Sequence, residues 1–127
     1  MGPFPHNAPR AVISAENPAG TDGFEFVEFA HPNPDELRAL FTRMGYALTA
    51  RHKHKAIELW QQGDITYILN DEPGSHARRF VDEHGPCAPS MGWRVADAGH
   101  AFAHALANGA EPFEGPEKTL DLPAIKG

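Results

Sequence analysis

The segment GFEFVEFAHPNPDELRALFTRMG, residues 23 to 45, decides the fold because it joins a strand to a clearly delimited helix. Its first eight residues hold three phenylalanines and a valine, which is typical of a largely buried β-strand. Asn33 and Pro34 suit the start of a helix, and Gly45 suits its end. Between them, apolar residues recur at helical spacing on one face: Leu37, Leu40, Phe41 and Met44.

Three more strands are predicted after this helix. Residues 46–52, 56–62 and 65–70 each alternate apolar and polar side chains, and Gly63 with Asp64 forms a two-residue hairpin turn. A short helix from Ser75 to His84 follows. The order strand, helix, strand, strand, strand therefore describes one βαβββ module with a helix after it.

The same pattern then starts again. Residues 90–95 read as a buried strand, Asp97 caps a second amphipathic helix, and Gly109 ends it. The two helix starts and the two helix ends are both separated by 64 positions (97 − 33 and 109 − 45), which predicts an internal repeat. The counterpart of the fourth strand would end near position 134 (70 + 64), beyond the last residue, 127. We therefore expect a second module that lacks its last strand, so that the chain is a fragment or another chain supplies that strand.

These patterns predict an α+β fold with the following organisation. Residues 1–22 are rich in proline and lack periodicity, which indicates an extended N-terminal arm. Residues 23–127 form one domain. It consists of a first module at 23–72, a linker helix at 75–84 and a truncated second module at 88–127.

Composition excludes several classes of protein. The formal net charge is −6, from 11 basic and 17 acidic residues, so we expect no nucleic-acid partner, which would require a basic surface. A single cysteine cannot form an internal disulfide, which favours a reducing compartment. No apolar run reaches the roughly 20 residues that span a membrane, and the N-terminus does not resemble a signal peptide. We expect a soluble, cytoplasmic domain with no membrane partner.

Histidine, cysteine and basic residues offer three weak candidate sites. His84 and Cys87 lie three positions apart. Nucleophilic catalysis also needs an activating base and an orienting group, and a zinc site needs further ligands. We therefore interpret this stretch as the end of a helix followed by a turn. His100 and His104 share a helix face, yet Ala101 stands where a zincin has glutamate, so a solvated pair is favoured. The basic cluster at 51–55 is interpreted as a solvated hairpin loop rather than an anion site.

Three glutamates, Glu25, Glu28 and Glu58, lie on predicted strands. Glu25 and Glu28 lie three apart on one strand, so their side chains face opposite sides and cannot act as a carboxylate pair. One of them, or Glu58, could face the interior of a barrel. No nucleophile motif or glycine-rich phosphate loop accompanies them, so no catalytic, cofactor-binding or metal-binding residue is assigned in this chain.

Four stretches carry a resemblance to a known family. They are NPAGTDGFEFVEFAHPNP at 17–34, ILNDEPGS at 68–75, FVDEHGPCAPSMGWRV at 80–95 and LDLPAIKG at 120–127. In these stretches the chain resembles the N-terminal domain of the 4-hydroxyphenylpyruvate dioxygenases, within the vicinal oxygen chelate superfamily. The resemblance implies paired βαβββ modules that form a cupped mixed sheet with helices outside.

For function, the resemblance implies an Fe(II)- and O2-dependent enzyme of tyrosine catabolism that decarboxylates and hydroxylates 4-hydroxyphenylpyruvate to homogentisate. Its iron is held by two histidines and a glutamate in a C-terminal domain, which leaves coordination positions open. Here Met91, Gly92 and Trp93 stand where a metal-binding module has histidine.

We therefore expect no iron in this chain and no turnover by it alone. Its expected partners are the C-terminal catalytic domain and further copies of the protein. Two alternatives stay open: a self-standing binding or resistance protein of the same superfamily, and the N-terminal part of a hydroxymandelate synthase.

Overall fold

The computed structural model describes residues 9–114 and shows five strands and three helices in this range. In chain order they are β1 (Thr21–Ala30), α1 (Pro34–Met44), β2 (Ala47–Arg51), β3 (Ile57–Gln62), β4 (Ile65–Asn70), α2 (His76–His84), β5 (Cys87–Val95) and α3 (Ala98–Ala107). The predicted order of elements is confirmed, and so is the α+β fold class. The main differences are at the strand ends, since β1 starts two residues and β5 three residues earlier than the patterns indicated.

All five strands form a single mixed sheet in the order β2-β3-β4-β1-β5. Strands β2, β3 and β4 are antiparallel neighbours, β4 lies parallel to β1, and β1 lies antiparallel to β5. The parallel pair requires a crossover, and α1 begins it, as expected for a βαβββ unit. Strand β1 is thus flanked by β4 of the first module on one side and by β5, the first strand of the second module, on the other.

The main hydrophobic core lies between α1 and one face of the sheet, which we call the outer face. Phe41 of α1 is 2% exposed and meets the rings of Tyr46, Trp60 and Tyr67 at centroid distances between 5.2 and 6.0 Å. Phe29 adds an edge contact from β1 at 5.6 Å. Aromatic rings at these separations and tilts pack favourably, so this cluster fixes the helix on the sheet.

Helix ends follow the predicted signals with one exception. Gly45 ends α1 in the left-handed region at φ 92°, and its N–H donates to the carbonyls of Phe41 and Thr42. Asp97 caps α3 by accepting from the N–H of His100 at 2.7 Å. Asn33 occupies the N-cap of α1, but its side chain makes no capping hydrogen bond, so that predicted cap is not formed.

The opposite face of the sheet, which we call the inner face, carries α2. Successive residues of a strand point to opposite faces, so Ala30 points away from the side on which Phe29 meets α1. Ala30 packs against Ala77 and Val81 of α2 in a second buried cluster, with Cys87 beside it. Helices α1 and α2 therefore cover opposite faces of the sheet.

The repeat continues through β5 and α3 and then changes. Helix α3 occupies the positions expected from α1 at an offset of 64, but it has no buried residue, and Phe102 and Leu106 are exposed. Residues 111–114, the counterpart of most of β2, form no strand. In the described residues the apolar face of α3 is therefore largely uncovered. The remaining predicted second-module residues, 115–127, and residues 1–8 of the arm lie outside them.

Within residues 9–114, no helix combines the length and the apolar character that crossing a lipid bilayer would require.

Candidate functional site

The inner face and α2 border an open cavity of about 410 Å³. It lies over β1 and its two neighbours, β4 and β5, where α2 packs against the sheet. We call it the Glu28 cavity, because Glu28 of β1 is the acidic residue in its wall. Its lining combines polar groups from the three strands with apolar and ring groups: Glu28, Asn70, His76, Ala77, Pro89, Ser90 and Phe113.

Strand register brings the polar groups of this cavity together. Glu28 pairs with Ile68 in β4 and with Ser90 in β5, and Asn70 follows Ile68 by two residues on the same face. The Asn70 amide donates to Glu28 Oε2 at 3.1 Å, and the Ser90 hydroxyl donates to Glu28 Oε1 at 3.1 Å. Each carboxylate oxygen thus accepts one neutral donor, which fixes the orientation of the half-buried carboxylate.

Of the three glutamates weighed from the sequence, only Glu28 faces this cavity. Glu25 is exposed, and Glu58 points to the outer face under α1, where it is 7% exposed. Arg38 Nε lies 3.0 Å from Glu58 Oε2, and the Trp60 indole N–H donates to the same oxygen at 3.0 Å. Burial alone would raise the pKa of Glu58, but the hydrogen bonds from Arg38 and Trp60 hold it below its ordinary value. Glu58 is thus part of the packing of α1.

His84 and Cys87 each contact other groups in the structure. The His84 ring packs 4.4 Å from the Phe80 ring at the end of α2, and its Nε2 lies 3.7 Å from Glu83. Cys87 packs in the α2 cluster, where burial raises the pKa of its thiol and the Glu28 carboxylate raises it further. A thiol with a raised pKa carries less thiolate and is a poor nucleophile.

The other histidine and basic candidates contact neighbouring rings and backbone groups. The rings of His100 and His104 stack with centroids 6.3 Å apart, and His100 Nε2 lies 2.8 Å from the carbonyl of Pro18. In the 51–55 cluster, His52 Nδ1 accepts from the backbone N–H groups of His54 and Lys55, which shapes a turn. Residues 9–114 contain no group of three or more His, Cys, Asp or Glu side chains placed to hold a metal.

The inner face does not fit an iron centre. A facial triad needs two imidazoles and a carboxylate, whereas the strands here present Glu28 with an amide and a hydroxyl. On β5, Gly92 pairs with Phe26, whose ring covers the glycine: a Cβ added at Gly92 would lie 2.5 Å from Phe26 Cε1. A histidine at position 92 would therefore collide with Phe26.

This close approach gives a stability prediction. Gly92→Ala is expected to lower the free energy of unfolding by about 1–2 kcal/mol, because the Phe26 ring must move to admit the methyl group. Chemical denaturation measures the effect, and the Phe26→Ala background should remove most of it. Gly99→Ala is the control, since a Cβ there comes no closer than 3.4 Å to its nearest neighbour. If Gly92→Ala costs the same free energy of unfolding in the wild-type and the Phe26→Ala proteins, the proposed contact between the two residues is contradicted.

The sequence pattern does not show which of the three glutamates faces the cavity. It also does not point to Asn70, Ser90 or His76 as cavity residues. Register explains both outcomes. Alternation shows which residues share a face of one strand, but not which residues of neighbouring strands lie side by side. Ser90 lies beside Glu28 because β1 and β5 pair in this register with irregularities on either side. The sequence feature that could have indicated the site is a polar residue on the inner face of each of three strands: Glu28 in β1, Asn70 in β4 and Ser90 in β5.

The sheet order, the parallel β1–β4 pair and the antiparallel β1–β5 junction define a domain of the vicinal oxygen chelate class. A solved xylose isomerase-like TIM barrel/4-hydroxyphenylpyruvate dioxygenase fusion protein matches with a TM-score of 0.71 and 34% identity, over 85% of this chain and 16% of that one. The model of the family "Hydroxyphenylpyruvate dioxygenase, HPPD, N-terminal" matches residues 15–127. The chain belongs to this family, which confirms the resemblance inferred from the four sequence stretches.

Curated relatives agree with this membership. A 4-hydroxyphenylpyruvate dioxygenase of Pseudomonas sp. (strain P.J. 874) is 47% identical over 88% of this chain and 32% of its own length. Hemolysin VllY of Vibrio vulnificus is 43% identical over 91% of this chain and 34% of its own length. The chain thus spans about a third of the length of these relatives, and the family model that it matches is that of an N-terminal domain.

Proposed function

We propose that this chain is the non-catalytic N-terminal domain of a dioxygenase that converts 4-hydroxyphenylpyruvate and O2 to homogentisate and CO2. The observation that carries the proposal is the family match over residues 15–127, together with 47% identity to a protein of which this chain covers 32%. In this proposal the Fe(II) belongs to a C-terminal domain. The inner face supports the division, because its glutamate, amide and hydroxyl do not fit a facial triad.

The role of the domain is structural in this proposal. Helix α1 is fixed on the sheet by the aromatic cluster, whereas α3 presents Phe102 (58% exposed) and Leu106 (39% exposed) without a comparable layer beneath them. β5 pairs with β1 alone among the described strands, so its other edge is open in residues 9–114. We propose that further strands of the full protein pair with β5 and pack under α3. The domain then supports the catalytic domain and contributes to a cytoplasmic homo-oligomer.

Assay of the full-length protein and of the 127-residue chain tests the proposal. Each is supplied with Fe(II), a reductant and 4-hydroxyphenylpyruvate, and homogentisate and CO2 are quantified by chromatography and gas release. The full-length protein is expected to form both products, and the short chain neither. Formation of 4-hydroxymandelate instead would identify a hydroxymandelate synthase and contradict the proposed reaction. Turnover by the short chain would contradict the non-catalytic role.

A further inference from the structure

Glu28 differs in its electrostatic environment from Glu58, which is buried on the outer face of the sheet. Glu58 is matched by Arg38, and Arg51 lies 3.5 Å from its other oxygen. Glu28 instead accepts hydrogen bonds from two neutral groups, the Asn70 amide and the Ser90 hydroxyl, each at 3.1 Å. A half-buried carboxylate has lost part of its hydration, and a cationic ligand in the cavity would interact favourably with its charge.

The bonds that Glu28 makes leave room for a ligand. An ionised carboxylate offers about four lone-pair sites, and Asn70 and Ser90 use one on each oxygen. The N–H and O–H donors of these two residues fix the position of the carboxylate, and because they are neutral they leave its negative charge in place. The carboxylate is therefore preorganised to accept further N–H donors from the cavity side, and a charged donor would give the stronger bond.

The remaining walls favour an organic rather than an inorganic cation. Ala77 and Pro89 are apolar, and the rings of His76 and Phe113 lie edge to face with centroids 5.1 Å apart. A divalent metal would need several oxygen ligands, but Asn70 Oδ1 already accepts from the N–H of Glu72 at 3.0 Å. The volume of about 410 Å³ lies within the range of small-molecule pockets.

We propose that the Glu28 cavity binds a small organic cation, a primary ammonium group on an apolar or aromatic body. The ammonium group donates to Glu28, and the body lies against Ala77, Pro89 and the two rings. An anion would be repelled by Glu28, and a neutral alcohol of the same shape would lack the charge-assisted bond. The inference does not depend on the proposed dioxygenase activity, because it rests on this cavity alone.

Binding measurements on the full-length protein test the proposal with three probes of one shape. Benzylammonium, benzyl alcohol and benzoate are titrated by calorimetry and by chemical-shift perturbation of the Ala77 and Ser90 amides. Benzylammonium is expected to bind at least tenfold more tightly than benzyl alcohol, and benzoate is expected not to bind. Equal binding of the ammonium and the alcohol, or no binding of the ammonium, would overturn the proposal without any variant.

Substitutions then assign the site. Glu28→Gln keeps the size of the side chain and removes its charge, so benzylammonium affinity is expected to fall at least tenfold. Glu25→Gln is the matched control, since Glu25 is an exposed carboxylate on the same strand. The affinity of this variant for benzylammonium should stay within twofold of the wild-type value. Circular dichroism confirms that each variant is folded. Equal losses in the two variants would show non-specific attraction to an acidic surface and would overturn the site.

Discussion

Phe41→Ala is expected to lower the free energy of unfolding by about 3–5 kcal/mol, the largest stability effect that we predict. The side chain is 2% exposed and lies at the centre of four rings, so its removal loses buried area and leaves a cavity. Those neighbours belong to different strands and loops and cannot all collapse into the space. Urea denaturation followed by tryptophan fluorescence measures the loss, because Trp60 lies in the same cluster.

The matched control for this prediction is Phe102→Ala in α3. The two helices occupy corresponding places in the repeat, but Phe102 is 58% exposed in the described part of the chain. Its removal is expected to cost less than about 1 kcal/mol in the 127-residue chain. If further strands pack under α3 in the full-length protein, the cost there should rise by about 2 kcal/mol or more. A small loss for Phe41→Ala in either protein would contradict the assigned core.

The comparison between Phe41 and Phe102 also shows how far the sequence could predict the fold. Each helix has its own apolar stripe and end signals, and these local features placed both helices within a few residues. Local periodicity does not reveal which surface covers a stripe, because burial depends on residues far away in the chain. For α1 that surface is β2, β3 and β4, which follow directly. For α3 the described residues contain no equivalent layer.

Glu58 and Glu28 show the same limit for the candidate site. On β3, Ile57 and Leu59 alternate with Glu58 and Trp60, so alternation alone would place Ile57 and Leu59 on the more buried side. In the structure the side with Glu58 and Trp60 is the more buried one, because α1 covers it: Phe41 packs against Trp60, and Arg38 reaches Glu58 across 20 positions of sequence. Glu28 instead joins Asn70 and Ser90 through strand register. Both environments depend on long-range pairing, which a single sequence does not encode in any local pattern.

The arginine that crosses from α1 to β3 gives the second large effect. Arg38→Met keeps the apolar stem and removes the charge, leaving Glu58 buried with only Trp60 and the more distant Arg51. Breaking a buried pair on one side is strongly destabilising, but Arg38 is 34% exposed, so we expect a loss of about 2–3 kcal/mol at pH 7. Arg43→Met on the exposed side of the same helix should change stability by less than about 0.5 kcal/mol.

The pH dependence of this loss identifies its cause. In the native protein the pKa of Glu58 is below its ordinary value of 4.5, so its stabilising contribution is complete above that pH and is lost as the pH falls through the folded pKa. Without Arg38, burial is expected to raise the folded pKa above the unfolded one, and protonation then relieves the buried charge. The cost of Arg38→Met should therefore shrink between pH 7 and pH 4, as measured by denaturation at each pH. A cost that is constant across this range would show that Arg38 acts through packing of its stem, since only a charge interaction changes when Glu58 takes up a proton.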